Sequence, residues 1–121
     1  MATVRYLVDD VARCVAFYVS ALGFDEVERF GPAMAIVRRD DLDLWLAGPA
    51  SSAARPMPDG RRPEPGGWGR IVVTTDDLET LIDTLGAAGA VFRNNVVAGP
   101  GGRQIVIEDP AGNPIELFQP A

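Results

Sequence analysis

The sequence predicts an α+β protein built from two tandem βαβββ modules. Three observations carry this prediction. A short apolar run, then two aspartates, then a helical pattern occurs at Thr3–Val11 and again at Arg70–Leu78, with a constant offset of 67 residues. Apolar residues then recur at helical spacing in both places. Short β-type runs bounded by turn formers follow each helix.

The elements can be justified in order. The run from Thr3 to Val8 reads as a strand closed by Asp9-Asp10. Val11, Cys14, Val15, Tyr18 and Leu22 form one apolar stripe, the mark of an amphipathic helix. Asp10 is placed to cap it, since its carboxylate can accept from free N–H groups of the first turn. Gly23 stands where the chain leaves it. Asp25–Phe30 reads as a strand, and Ala33–Arg39 with Leu42–Ala47 as a hairpin turned at Asp40-Asp41.

The second half repeats the order. Leu78, Leu81, Ile82, Leu85 and Gly89 occupy the stripe positions, Asp77 the cap and Gly89 the exit. Ala90–Asn94 reads as a strand. Arg103–Glu108 and Pro114–Phe118 read as a hairpin through Asp109-Pro-Ala-Gly-Asn113, where Pro110 fixes φ, Gly112 frees it and Asn113 tolerates the left-handed region. Between the halves, Gly48–Gly67 contains Pro49, Pro56, Pro58, Pro63 and Pro65, which excludes a helix or central strand. The chain is therefore read as one domain: module one at 1–47, linker at 48–67, module two at 68–121. A linker of this length is either a mobile loop or a lid.

Composition narrows the function. A chain of 121 residues supports one core. Its longest unbroken apolar run, Cys14–Val19, is too short to span a bilayer. No basic segment followed by an apolar stretch marks a secretory signal, so a cytoplasmic location is expected. Cys14 is the only cysteine, which removes intrachain disulfides and multi-cysteine zinc sites. There is no histidine, and all 11 basic residues are arginine. Ser-His-Asp and Cys-His systems, His-based metal sites, Schiff-base lysines and the P-loop lysine are thereby excluded. Acid–base work falls to carboxylates, Tyr6, Tyr18 or Cys14. Cys14 lies on the helix stripe and reads as a buried small hydrophobe. A net charge of −6 argues against a nucleic-acid partner. It serves solubility and also suits a cationic ligand.

The paired modules, the segment Asp10–Phe24 with Phe17-Tyr18 and Leu22-Gly23-Phe24, and the closing run Glu108-Asp-Pro-Ala-Gly-Asn-Pro-Ile-Glu-Leu-Phe118 resemble the vicinal oxygen chelate superfamily, the glyoxalase/bleomycin-resistance/extradiol-dioxygenase group. The resemblance covers nearly the whole chain outside Gly48–Gly67. It implies a mixed sheet curled around a cleft. It also implies a choice among isomerases, dioxygenases, thiol transferases, epimerases and binding proteins, because this fold hosts them all. Metal-dependent members carry one ligand on the first and last strands of each module, usually two histidines and two glutamates. The equivalent positions here are Thr3, Trp45, Arg70 and Glu116, so one ligand type of four remains. A lone carboxylate beside an arginine does not hold a divalent ion. No metal and no cofactor are therefore expected. Asp43, two residues from Trp45 on the same strand face, offers only a shifted alternative.

Strand alternation then assigns a face. If the ligand-equivalent positions, Trp45, Arg70 and Glu116 among them, point into the cleft, so do Arg5, Leu7, Asp43, Val72, Thr74 and Phe118. The opposite set, including Tyr6, Val8, Leu44, Leu46, Ile71, Val73, Ile115 and Leu117, is apolar and suits packing against helices. The candidate ligand-binding residues are Arg5, Asp43, Trp45, Met57, Trp68, Arg70, Glu116 and Phe118. Trp45 either walls a planar ligand or fills the concave face, and Trp68 either walls a ligand or plugs the linker end. Phe118 packs or binds. Met57 and Trp68 are positioned in sequence to cover a ligand. Arg70 and Glu116, inheriting two positions that converge on one ion, are predicted to meet and satisfy each other or grip a polar group.

The first functional reading is a metal-independent small-molecule binding protein of the bleomycin-resistance type. It would sequester an aromatic or bulky natural product and so confer antibiotic resistance. The second is a metal-free lyase, cyclase or isomerase with Glu116 or Asp43 as base. The third is a metal-dependent glyoxalase-like enzyme. Open sheet edges and the resemblance both imply a homodimer, with no nucleic-acid or membrane partner.

Overall fold

In the computed structural model, which describes residues Met1–Ala121, the chain divides into two units, Met1–Gly66 and Gly67–Ala121. The first contains β1 (Ala2–Leu7), α1 (Val11–Leu22), β2 (Asp25–Phe30), β3 (Met34–Arg39) and β4 (Leu42–Ala47). Its sheet runs β1-β4-β3-β2, with β1 parallel to β4 and the other pairs antiparallel. Asp10 caps α1 by accepting from the Arg13 backbone N–H at 3.1 Å. Gly23, at φ 70°, closes the helix by donating to the Tyr18 carbonyl.

The predicted stripe is buried throughout: Val11, Cys14, Val15, Tyr18 and Leu22 pack with Tyr6, Val8, Phe24, Val37, Leu44 and Leu46. Each large apolar side chain buried there contributes about 1.5–3 kcal/mol relative to exposure. Packing, not propensity, therefore holds a helix that carries three β-branched valines. Gly48 ends β4 against this helix, where an added Cβ would stand 2.7 Å from Val11 Cγ2.

The proline-rich segment after β4 holds one 3-10 turn, Ser52–Ala54, and a tight turn in which Met57 donates to the Arg61 carbonyl at 2.7 Å. It forms no strand, as its prolines require.

The second unit contains β5 (Ile71–Thr74), α2 (Leu78–Ala87), β6 (Val91–Phe92), β7 (Val97–Gly99), β8 (Gly102–Glu108) and β9 (Pro114–Pro120). Its order is β5-β9-β8-β6, with β7 also on β8 and β5 parallel to β9. Asp77 caps α2 through the Thr80 N–H at 3.1 Å and the Thr80 hydroxyl at 2.7 Å. The α2 stripe is weaker than its counterpart: Leu78 and Leu85 are buried, Leu81 and Ile82 half-buried, and Gly89 exposed. Ile71, Val73, Ile105, Ile107, Ile115 and Leu117 complete this core.

One expectation is corrected. The strand predicted over Ala90–Asn94 is only Val91–Phe92, and an unpredicted strand follows at Val97–Gly99. Arg93 still donates to the Val106 carbonyl at 2.8 Å, but the Val106 N–H donates to the Asn94 side chain at 2.9 Å. A side-chain oxygen thus replaces a backbone acceptor, the ladder breaks, and pairing resumes at Val97 opposite Gln104.

The turn between β8 and β9 is closed by Asp109. One of its carboxylate oxygens accepts from the backbone N–H groups of Ala111 and Asn113, both at 2.9 Å, and the other from the Asn113 amide at 3.1 Å. Asp109 and Asn113 are both buried, and Gly112 takes φ 92° as the turn demands. No helix is long and apolar enough to cross a membrane.

Candidate functional site

In the first unit, the face turned away from α1 is set by strand register. Thr3 lies beside Asp43 and Arg5 beside Trp45, while β3 places Arg38 beside Asp43 and Ile36 beside Trp45. Arg38 grips Asp43 with two hydrogen bonds, Nε to Oδ1 at 2.6 Å and Nη2 to Oδ2 at 3.0 Å. The hydrogen bonding and charge of Arg38 hold the Asp43 carboxyl below the usual range, and Asp43 in turn raises the Arg38 pKa. With both oxygens engaged and its ionised form favoured, Asp43 is a poor proton acceptor. Arg5 lies over the Trp45 ring, its Cζ 5.0 Å from the centroid. Trp45 is half-buried and Thr3 exposed. Met57 is exposed on the proline-rich turn.

In the second unit, Glu116 projects from β9 opposite Val72 on β5 and Val106 on β8. Arg70, just before β5, donates to it from Nε at 3.0 Å and Nη2 at 2.8 Å. The predicted pair is therefore present. Both donors converge on Oε1, and Oε2 takes no hydrogen bond yet is not sealed from solvent. The two side chains are 28% and 13% accessible. Arg70 Nη1 also reaches the Trp68 carbonyl at 3.4 Å. Phe118 is half-buried, with its ring over Gly101-Gly102, where a Cβ on Gly102 would stand 3.0 Å from the ring edge.

Trp68 is 71% exposed, with the Arg93 guanidinium carbon 4.7 Å above its ring centre. Arg93 donates to Glu108 Oε2 at 2.9 Å, to the Gly67 carbonyl at 2.7 Å and to the Gly112 carbonyl at 3.0 Å. Sequence reasoning missed Arg93, Glu108 and Arg38. A signal existed for each pair. Pairing the predicted strand containing Arg93 with Arg103–Glu108 brings Arg93 within cross-strand reach of Glu108, and the Asp40-Asp41 hairpin sets Arg38 opposite Asp43.

These arrangements do not fit the metal site of metal-dependent relatives. The four positions that the resemblance equates with metal ligands hold Thr3, Trp45, Arg70 and Glu116, and the only carboxylate among them is bonded to an arginine. No group of three or more His, Cys, Asp or Glu side chains is arranged to hold an ion.

The profile of the Glyoxalase/Bleomycin resistance protein/Dioxygenase superfamily matches residues 1–117, and the chain belongs to that superfamily. No match was found among curated protein sequences. Among solved structures, the chain is similar to a superfamily member from Sphaerobacter thermophilus DSM 20745, at 27% identity and TM-score 0.75, covering 98% of this chain and 95% of that one. It is also similar to TnmS3, an antibiotic binding protein from Streptomyces sp. CB03234, at 27% identity and TM-score 0.73, covering 98% and 93%. The fold alone is shared with a lactoylglutathione lyase from Agrobacterium tumefaciens, at 21% identity and TM-score 0.74, covering 98% and 92%.

Proposed function

We propose that the protein binds an aromatic or otherwise bulky natural product without metal and sequesters it, in the manner of an antibiotic-resistance protein. The candidate contacts are Arg5, Asp43 and Trp45 on the first sheet, Met57 on the proline-rich turn, and Trp68, Arg70, Glu116 and Phe118 on the second unit. The observation that carries this reading is the state of the carboxylates on these faces. Asp43 and Glu116 are each taken by an arginine, while both tryptophans sit under guanidinium groups with aromatic surface to offer. Affinity needs such surfaces and no reacting group. The likeness to an antibiotic binding protein at 27% identity agrees with it.

The free Oε2 of Glu116 favours a second reading, a metal-free lyase, cyclase or isomerase in which that oxygen takes a proton. A thermal-shift screen of aromatic natural products separates the two. A ligand at 100 times its Kd adds about 2.7 kcal/mol of stability. Sequestration predicts that mass spectrometry recovers it unchanged, and enzymic action predicts turnover that Glu116→Gln abolishes. We also propose that the protein is a homodimer. β2 is an edge strand exposed along its length, with Val27 and Phe30 open to a partner. Sedimentation at micromolar concentration should give a species twice the 12.9 kDa chain mass, and a monomer alone would refute the dimer.

A further inference from the structure

We propose that Arg93 is a positioning residue that fixes the Trp68 indole as a stacking platform for a planar, uncharged aromatic ring. This deepens the binding reading above and rests on it.

The backbone around Trp68 is free to turn, and its carbonyl is held only by a long bond from Arg70 Nη1 at 3.4 Å. Gly67 and Gly69 flank it, and Gly66 and Gly67 lie at φ 113° and 89°. An exposed side chain on such a segment would sample several rotamers and pay their entropy on binding. Arg93 removes that freedom. Its planar fork is anchored to three separate places: Glu108 at the end of β8, Gly67 beside the tryptophan, and Gly112 in the β8–β9 turn. Its side chain is only 15% accessible. A guanidinium fixed in this way presents a flat cationic surface, and the indole lies against it.

One face of the ring is thereby occupied, yet Trp68 as a whole remains 71% exposed, so the other face is bare. Core packing gives no reason for leaving an indole in that state. A preorganised aromatic surface with one open face suits a stacking partner, because its ordering cost is already met in the free protein. The charge balance sets the class of partner. Arg93 and Arg70 each carry a glutamate, so neither guanidinium offers an uncompensated charge to an ion. A cationic ring would also face the Arg93 guanidinium through the indole.

Phenazine, a planar uncharged ring system, is the probe. Its affinity is measured by equilibrium dialysis. Motion of the indole is measured by time-resolved fluorescence anisotropy in a Trp45→Phe background, where Trp68 is the only emitting tryptophan. Arg93→Lys keeps the charge but cannot span three acceptors. It should increase the local motion of Trp68 and weaken phenazine binding about tenfold, equivalent to about 1.4 kcal/mol. Trp68→Leu leaves the Arg93 bonds in place. It should lose at least as much phenazine affinity with the urea midpoint unchanged, which separates the platform from folding. Unchanged indole motion and affinity in Arg93→Lys would overturn the positioning role while leaving the binding reading intact. Equal phenazine affinity in Trp68→Leu and the unaltered protein would overturn the platform. Failure of the unaltered protein to bind phenazine would overturn the ligand class named here, whereas the natural-product screen judges sequestration independently.

Discussion

Replacing Arg70 and Glu116 separately and together tests whether their contact stabilises the second unit. An exposed ion pair is worth about 0–1 kcal/mol, while breaking a fully buried one costs about 3–5 kcal/mol. This pair lies between those limits, at 28% and 13% accessibility. The two single changes should be unequal. In Glu116→Gln an amide oxygen still accepts from the fork, so the loss is mainly charge assistance, about 1 kcal/mol. In Arg70→Met the carboxylate stays largely out of water without its cation, which costs about 2 kcal/mol. The coupling energy should be about 1–2 kcal/mol, since both donors converge on one oxygen: Arg70→Met removes both bonds and Glu116→Gln removes the charge that strengthens both. Urea unfolding of the four proteins at neutral pH gives the cycle, and raising the salt should shrink the coupling only partly. Coupling below about 0.3 kcal/mol, or a larger loss from Glu116→Gln than from Arg70→Met, would refute this reasoning.

Other outcomes follow from the same geometry. Gly102→Ala should cost about 2–4 kcal/mol in urea unfolding, because a Cβ there would stand 2.2 Å from the Gln119 carbonyl oxygen on backbone at φ 147°. Asp77→Ala should lower stability by about 1 kcal/mol and reduce helicity at α2, measured by circular dichroism, through loss of the cap. Asp43 and Asp77 both ionise more readily in the folded chain, through bonds to Arg38 and Thr80 respectively. Their contribution is complete above about pH 4 and drains away as pH falls through the lower folded-state values, so Asp43→Asn should flatten the acid side of the stability–pH curve. Calorimetric titration of chelator-treated protein with zinc, nickel or manganese should give no stoichiometric binding. An ion held at Glu116 would contradict the proposed metal independence.

Much of the fold was legible because it rests on local chemistry. Asp10 and Asp77 cap helices, Gly23 closes one, and Asp40-Asp41 turns a hairpin, all through contacts within a few residues. Strand alternation placed Leu44 and Leu46 inside and Trp45 on the other face, because the pleat has a fixed period. The break at Asn94 was not legible. It depends on a side chain outcompeting the backbone for Val106, a choice made by tertiary register. The site divided along the same line. Arg70 and Glu116 could be paired in advance because the resemblance equates their positions with two ligands that share one ion. Arg5 over Trp45 needed the parallel β1–β4 register, and Arg93 needed the positions of Gly67 and Gly112, which no local pattern encodes.

The Asp109 turn bears on how the chain finds this structure. Every bond that its carboxylate makes in the turn spans at most four residues, so closing the turn sacrifices little chain entropy before it returns stabilisation. β8 and β9 pair from Pro114 opposite Glu108, close in sequence, whereas β5 joins β9 from far along it. The hairpin is thus the natural seed of the second unit, and the parallel β5–β9 pairing is its slow step. A buried carboxylate that looks purely architectural in the finished protein thus lowers the entropic cost of starting the hairpin. The same turn supplies the carbonyl on which Arg93 anchors, so the turn that is cheapest to close also holds up the exposed tryptophan.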